Sequence, residues 1–338
     1  MIKNELVSVV MSVYNDSKYL SSAIESILNQ TYNNLEFIII NDGSSDNSLD
    51  IIQKYAKLDS RIVLVSRANK GLTVSLNDGV KISRGNFVAR MDGDDISHID
   101  RFEKQVEYML ENENTDILAT YTEVIDVNND IENAKKCEGN NNLDFDDNNV
   151  EQILLARCAI SHPTVMFKAD VIKKLLYNES FIATEDYEMW LRALYNGYKI
   201  HKLREKLFTV RRHNMSKSVT KDLLNNAALG EVITCKFEYI YNKYLFNNRK
   251  INCLIWGCGI GGVKVYEIIR KRNNINIIGY IDTYKKGEFN DLKIYNLGEI
   301  GSLSYDYVFI ATSLGENAAF KKLKELDKKY IFDFCSLV

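Results

Sequence analysis

The chain of 338 residues carries a single proline, Pro163, where average usage of about 5% would supply many more. With the abundance of Asn, Lys and Ile, this reads as coding bias and not as a structural statement. Its six cysteines, at 137, 158, 235, 253, 258 and 335, include no C-x-x-C pair. That spacing argues against a disulfide frame or a zinc site and for reduced thiols used as small apolar residues. No stretch approaches the roughly 18–20 uninterrupted apolar residues of a membrane-spanning helix. The start, Met1-Ile2-Lys3-Asn4-Glu5, runs directly into an apolar segment, without the charged, apolar and small-residue order of a secretory signal. A cytoplasmic location is the expectation, and peripheral association with the inner face of a membrane is compatible with it. Charge is balanced, with 43 Lys and Arg against 46 Asp and Glu, net −3. A protein that neutralised many phosphates would lean the other way, so nucleic acid is excluded as the main ligand.

What is present is ordinary globular chemistry, 46% hydrophobic and 26% charged, in a length that suits two domains at about 100 to 200 residues each. Residues 7–120 alternate short β-branched runs (7–14, 35–41, 62–65, 87–91, 116–120) with amphipathic stretches (18–29, 47–58, 73–82, 99–111). This is the pattern of strands joined by crossover helices in a mainly parallel, doubly wound sheet. Ligands of such sheets sit at the carboxyl ends of the strands. The turns Tyr14-Asn15-Asp16, Asn41-Asp42-Gly43-Ser44-Ser45-Asp46 and Asp92-Gly93-Asp94-Asp95 are therefore expected in one crevice. Residues 127–150, rich in Asn and Asp, read as a long loop. Beyond them a helix is expected over 150–157, a strand over 160–167, a helix over 184–196 and a pair of strands over 198–203 and 207–211.

The division expected is a first domain over 1–216, a helical linker over 217–248 and a second α/β domain over 249–338. The second domain opens with a strand over 251–256 and the run Gly257-Cys258-Gly259-Ile260-Gly261-Gly262, in which Gly257, Gly259 and Gly262 match G-x-G-x-x-G. A second strand ends in Asp282, about 20 residues on, where an acid holds a ribose hydroxyl in dinucleotide-binding folds. A Rossmann-like domain follows, with a nucleotide or NAD(P) as its ligand. The alternative is that the glycines only let helix and strand pack closely.

Asp92, Asp94 and Asp95 place three carboxylates just after an apolar strand, a set of hard oxygen ligands suited to Mg²⁺ or Mn²⁺ with positions left for phosphate oxygens. A solvated acidic turn is the bland alternative, and the surrounding motifs decide against it. The chain resembles the inverting nucleotide-sugar glycosyltransferases of family 2, which have the GT-A fold. The resemblance rests on Val7 to Asn15 (VSVVMSVYN), Asn29-Gln30-Thr31-Tyr32, Ile40 to Asp46 (INDGSSD), Asn69-Lys70-Gly71-Leu72 and Ala89 to Asp95 (ARMDGDD), in that order. It continues through Arg101, Gln105, Ser161 to Phe167, Thr184 to Arg192 and Arg211 to Ser216, covering about residues 5–220.

The resemblance implies roles that the residue chemistry supports. Tyr14 offers an aromatic face to a nucleobase, and Asp42 accepts from its N–H group. Asp92 contacts the ribose or sugar, Asp94 ligates the metal bridging the diphosphate, and Asp95 is the fallback metal ligand. His213 is a further metal or phosphate ligand, with basic Arg211 and Arg212 beside it, Arg212 contacting substrate. His162 is placed at the acceptor. Of the acid pair Glu185-Asp186, Asp186 is the general base that takes the proton of the attacking sugar hydroxyl, and Glu185 binds substrate; a helix-capping role for both is compatible. The donor is a nucleotide-diphosphate sugar, UDP-linked, and the acceptor a surface-polysaccharide or lipid-linked glycan. Ser12 departs from the proline common before Val-Tyr-Asn, and Leu76 stands where many members carry arginine before Asn77, which removes one phosphate contact. Two rivals stay open: an oxidoreductase or epimerase using the C-terminal glycines, and a non-catalytic nucleotide-sugar scaffold.

Overall fold

A computed structural model describes residues 5–214, 223–245 and 249–338. The chain divides into two compact units, Met1–Lys221 and Asp222–Val338. The expected boundaries at 216 and 248, and Met215 and Ser216 of the last motif, lie outside the described residues.

The first unit is built on one eight-stranded sheet. Its strands are β1 (Val7–Val13), β2 (Leu35–Asp42), β3 (Ile62–Arg67), β4 (Phe87–Asp92), β5 (Ile96–Ser97), β6 (Ile117–Asp126), β7 (Met166–Lys168) and β8 (Ile200–Arg212), in the spatial order β3-β2-β1-β4-β7-β6-β8-β5. The first four are parallel, and β7 runs antiparallel to both β4 and β6. Every residue of β2 is buried, as required of a central parallel strand covered by helices on both faces. The helices Ser17–Leu28, Ser48–Leu58 and Leu72–Ile82 make the crossovers. Leu72–Ile82 lies so close to the sheet that a Cβ on Gly79 would stand 2.4 Å from Val10 Cγ1.

The register levels the strand ends. Ser12 sits opposite Asp92, Val13 opposite Asn41 and Asp42 opposite Arg67, so the turns after β1, β2 and β4 open together. A buried brace holds the irregular half of the sheet to this frame. Arg101, 0% exposed, donates through Nε to Gln105 Oε1 (3.0 Å) and through Nη2 to the carbonyls of Arg90 (3.1 Å) and Val165 (3.4 Å). Gln105 Nε2 in turn donates to the carbonyls of Leu118 and Thr164. Burial, followed by Arg90, pushes the Arg101 guanidinium down to about 9, against which Nε and Nη2 reach carbonyl oxygens.

Several expectations need correction. The segment over 160–167 is not one strand: His162–Thr164 forms a 3₁₀ turn with Pro163 at its start, and only Met166–Lys168 pairs. The pair of strands over 198–211 is a single 13-residue strand, β8, whose register against β6 slips on both sides of Tyr121. Residues 127–150 are not a loop throughout, because Ile131–Asn141 is a helix. That helix buries only Ala134, so no apolar periodicity announced it.

The second unit has a six-stranded sheet of β9 (Ile251–Trp256), β10 (Ile275–Ile281), β11 (Gly287–Phe289), β12 (Leu292–Tyr295), β13 (Tyr307–Ile310) and β14 (Phe334–Ser336), ordered β11-β12-β10-β9-β13-β14. All neighbours are parallel except the β11-β12 hairpin. The last strand begins at Phe334, after Ile331, at φ +73°, has turned the chain. The helix Leu223–Ile240, expected within a linker, lies in this unit, where Phe237 packs edge-on to Phe309 at 5.8 Å and Arg272 pairs with Glu238.

Candidate active site

The levelled strand ends form the floor of a cleft of about 710 Å³ in the first unit. Tyr14, Asp16, Asp42, Asp92, Asp94 and Asp95 line one part, and His162, Glu185, Asp186, Arg211 and Arg212 another. The structure thus brings these expected residues of the first unit into a single cavity.

On the side of β1 to β3, Tyr14 is 52% exposed at the end of β1. The turn beyond it is clasped to the one after β2: Asn15, at φ +57°, accepts from Ser45 N (2.8 Å) through Oδ1, and Asp16 N donates to Ser48 Oγ (3.0 Å). Asp42 is 2% exposed. Its oxygens accept from the backbone N–H groups of Lys70 (3.0 Å) and Gly71 (2.8 Å) and pair with Arg67. Arg67 also donates to Ser75 Oγ (2.9 Å). Leu76, at the position of the missing arginine, is 1% exposed and packs into the core.

The acidic turn carries the strongest field. One carboxylate oxygen each from Asp92, Asp94 and Asp95 lies within 4.8 Å of the others. Asp95, 3% exposed, accepts from Arg211 N at 2.7 Å, while Asp94 meets His213 Nε2 at 2.9 Å. His213 lies 5.0 Å from the Tyr19 ring, and the Arg211 guanidinium covers that ring at 4.5 Å. Burial, then the Asp92 charge, raises the Asp94 carboxyl against the pull of His213. Burial, then Asp94 and Asp92, holds Asp95 well above its ordinary range. Asp16 is pushed up to about 7 by burial, then Asp94, Asp92 and Asp46, with the Tyr14 N–H opposing. Such clustered carboxylates resist ionising together, and a hard divalent cation reverses that preference. The oxygen-only donor set at this spacing fits Mg²⁺ or Mn²⁺.

The opposite wall begins at the helix Glu185–Tyr195, whose first turn holds Glu185, 4% exposed, and the more open Asp186. Asp186 Oδ1 accepts from Tyr187 N at 2.7 Å. His162 Nε2 meets the Tyr177 hydroxyl at 2.8 Å, and Asn77 holds the Tyr177 backbone on both sides, accepting from its N (2.7 Å) and donating to its O (2.9 Å). Arg212 contacts Cys137 Sγ at 2.6 Å and Asp126 at 3.7 Å.

Sequence reasoning missed several residues of this cavity. Arg90 lines it, is 5% exposed and pairs with Asp92; burial opposes its charge, but Asp92 overrides it and holds the guanidinium above its usual range. The signal was available, since residues two apart on a strand share a face. Asp16 was expected in the crevice with its turn but was given no role there. Cys137, Asn140 and Asn141 also line the cleft, and nothing in their local pattern announced it.

In the second unit the fingerprint glycines meet the protein itself. A Cβ on Gly262 would stand 2.1 Å from Gly257 O, and Gly257, at φ +113°, faces Thr312. Asp282 accepts from the backbone N–H groups of Cys258 (3.0 Å), Tyr284 (2.9 Å) and Lys285 (3.0 Å). Space around Gly259 is open.

Comparison with known proteins gives this geometry a lineage. The model of glycosyl transferase family 2 matches residues 8–176, half of the chain. The chain belongs to glycosyl transferase family 2. An uncharacterised glycosyltransferase of Methanocaldococcus jannaschii is 34% identical over 246 residues, covering 72% of this chain and 82% of its own. The Escherichia coli O-antigen biosynthesis glycosyltransferase WbnJ is 35% identical over 215 residues, covering 63% and 82%. Among solved structures, S. aureus TarS 1–349 in complex with UDP-GlcNAc superposes with a TM-score of 0.56 at 18% identity, covering 70% of this chain and 66% of that one. The fold of this glycosyltransferase is therefore GT-A, followed by a smaller α/β unit. A second model, the N-terminal region of C2185-like proteins, matches residues 249–331. Among the described residues no helix is long and apolar enough to cross a membrane.

Proposed function

We propose that this glycosyltransferase moves a sugar from a nucleotide-diphosphate sugar, UDP-linked, to a hydroxyl of a surface-polysaccharide or lipid-linked glycan, with inversion at the anomeric carbon. The observation that carries this reading is the placement of the Asp92, Asp94 and Asp95 carboxylates and the Glu185-Asp186 pair in one cleft. The WbnJ likeness supports a polysaccharide product, and the TarS complex is a precedent for a UDP-linked donor on this fold. The work is assigned to the cytoplasmic face of a membrane, where such donors and lipid-linked acceptors meet, and to the domain over 1–216; none of the proposed reacting groups lies in the linker over 217–248 or the domain over 249–338.

Tyr14 and Asp42 hold the base, with Arg67 fixing the Asp42 carboxylate. Asp94 would hold the cation with Asp92, which takes the ligand place expected of Asp95 because Asp95 is buried and accepts from Arg211 N, and His213 would orient Asp94. A bound divalent cation supplies charge neutralisation for the departing diphosphate. Asp186 takes the proton of the acceptor hydroxyl as its oxygen bonds to the anomeric carbon and the bond from that carbon to the diphosphate oxygen breaks. One displacement from the opposite face inverts the centre. His162 and Arg212 stand on the acceptor side.

The test is transfer from a panel of UDP- and GDP-sugars with Mn²⁺ and in excess EDTA. Turnover is expected only with the ion, Asp94→Ala is expected to abolish it, and NMR of the product linkage is expected to show inversion. Full activity in EDTA, or retention, overturns the reading.

A further inference from the structure

Lys202 lies on β8 and is 7% exposed. Its ammonium donates to three backbone carbonyls, those of Asn141 (2.9 Å), Leu143 (2.9 Å) and Ala159 (2.5 Å), which uses every donor it has. The rings of Phe145 and Tyr121 stand 4.8 and 5.8 Å away. Burial pulls Lys202 down to about 8. A buried lysine of this kind is costly unless its hydrogen bonds are complete, so the arrangement needs a reason beyond surface solubility.

The reason lies in what the three carbonyls belong to. Asn141 ends and Leu143 follows the helix Ile131–Asn141, which gives Cys137, Asn140 and Asn141 to the cleft, and Ala159 lies in the loop that gives Cys158, Ile160 and Ser161. The helix has little apolar burial of its own and is tied to β6 by polar contacts: Asn142 accepts from Thr122 N (2.7 Å) and donates to Thr122 O (2.8 Å), and Glu138 accepts from Val124 N (3.1 Å). Lys202 joins helix and loop to each other through a buried ammonium, beside the exposed contact of Arg157 Nη1 with Asn140 Oδ1 (3.4 Å). Both segments stand in the cavity that holds Glu185 and Asp186, and they present amide and hydroxyl groups suited to neutral sugar hydroxyls.

We propose that Lys202 is a positioning residue for the glycan acceptor, a clamp that holds the two segments of the acceptor wall at fixed spacing around Asp186. This rests on the reading of the cleft as a sugar-transfer site. An acceptor hydroxyl that drifts by about an ångström loses about 10²-fold in rate, so loosening the wall affects transfer to a sugar more than binding of the nucleotide or attack by water.

The experiment uses the full chain with Lys202→Met, Lys202→Gln and Lys202→Arg. Amide hydrogen exchange over 139–144 and 157–162 is expected to quicken at least tenfold in Lys202→Met, with exchange in β1 and β2 unchanged. The affinity for UDP with Mn²⁺ is expected to stay within twofold. With a UDP-sugar donor, the ratio of transfer to a panel of methyl glycosides over hydrolysis by water is expected to fall at least tenfold, and Lys202→Arg is expected to recover part of it. Unchanged exchange in the two segments overturns the clamp, as does a loss of transfer that merely follows a loss of UDP affinity. If Lys202→Met does not fold, the Gln and Arg variants carry the same comparison. If the wild type uses no UDP-sugar, the proposed donor falls, while the exchange data still decide whether Lys202 holds the wall.

Discussion

Asp16 offers the sharpest physical test of the cleft. Its carboxyl, ordinarily near 3.8, is pushed up to about 7, first by burial and then by Asp94, Asp92 and Asp46. The folded protein therefore binds a proton at Asp16 more tightly than the unfolded chain does. The associated stability is fully present below pH 3.8 and is lost as pH rises through 7. At about 1.4 kcal/mol per unit, the group contributes about 4 kcal/mol at low pH, of which about 2.5 kcal/mol disappears between pH 5 and pH 8. Asp16→Asn keeps the shape and removes the titration. At pH 5, where folded Asp16 is neutral, the substitution replaces one neutral group by another. At pH 8 it removes a half-buried negative charge beside those of Asp94, Asp92 and Asp46. The stability gained by the variant over wild type is expected to be larger at pH 8 than at pH 5 by about 2.5 kcal/mol in EDTA. Urea denaturation followed by tryptophan fluorescence measures this, in a Trp256→Phe background so that Trp190 reports the first unit alone. Saturating Mn²⁺ at pH 8 should shrink the difference, because a cation held by Asp92 and Asp94 offsets the repulsion that Asp16 feels. A difference that is the same at both pH values to within about 0.5 kcal/mol would refute the reasoning.

Asp186→Asn should lower transfer by about 10²- to 10⁴-fold while leaving nucleotide affinity near wild type; steady-state kinetics beside calorimetry with UDP separate the two, and an equal loss in both would remove Asp186 from the base role. Gly79→Ala drives a Cβ to 2.4 Å from Val10 Cγ1, so thermal denaturation should show a loss of about 1–3 kcal/mol, and an unchanged midpoint would mean that the helix can lift from the sheet freely. Gly262→Ala meets a backbone oxygen at 2.1 Å and should loosen the second unit, seen as faster amide exchange in β9 and β10, with donor turnover preserved; lost turnover in a folded first unit would show that the second unit contributes to the chemistry.

The repeating part of the first unit was legible from residue types alone, and the reason is burial on two sides. A central parallel strand must be apolar where it is covered on both faces, as Phe37 to Ile40 are, and its crossover helices must show a stripe of apolar residues, as Leu20, Ala23, Ile24 and Ile27 do. The acidic turn was legible for the same reason, since a strand such as Phe87–Met91 locates the residues that follow it. What departed from this pattern had no such constraint. The helix Ile131–Asn141 is held by side-chain amides and by Lys202 and not by an apolar face, so its sequence reads as loop. The fragment 160–167 looks like a strand because it is apolar, but the Pro163 turn and the Arg101-Gln105 brace divide it.

The sequence by itself determined the class of fold and the family, because those depend on local order along the chain. Only the tertiary structure decided that Asp42 is held by Arg67, that Asp16 shares the field of Asp94 and that Lys202 joins Asn141 to Ala159, 18 residues apart. These are contacts between residues remote in sequence, and their strength comes from exclusion of water in the folded cleft. Neither condition exists in the chain before the sheet brings its strand ends together.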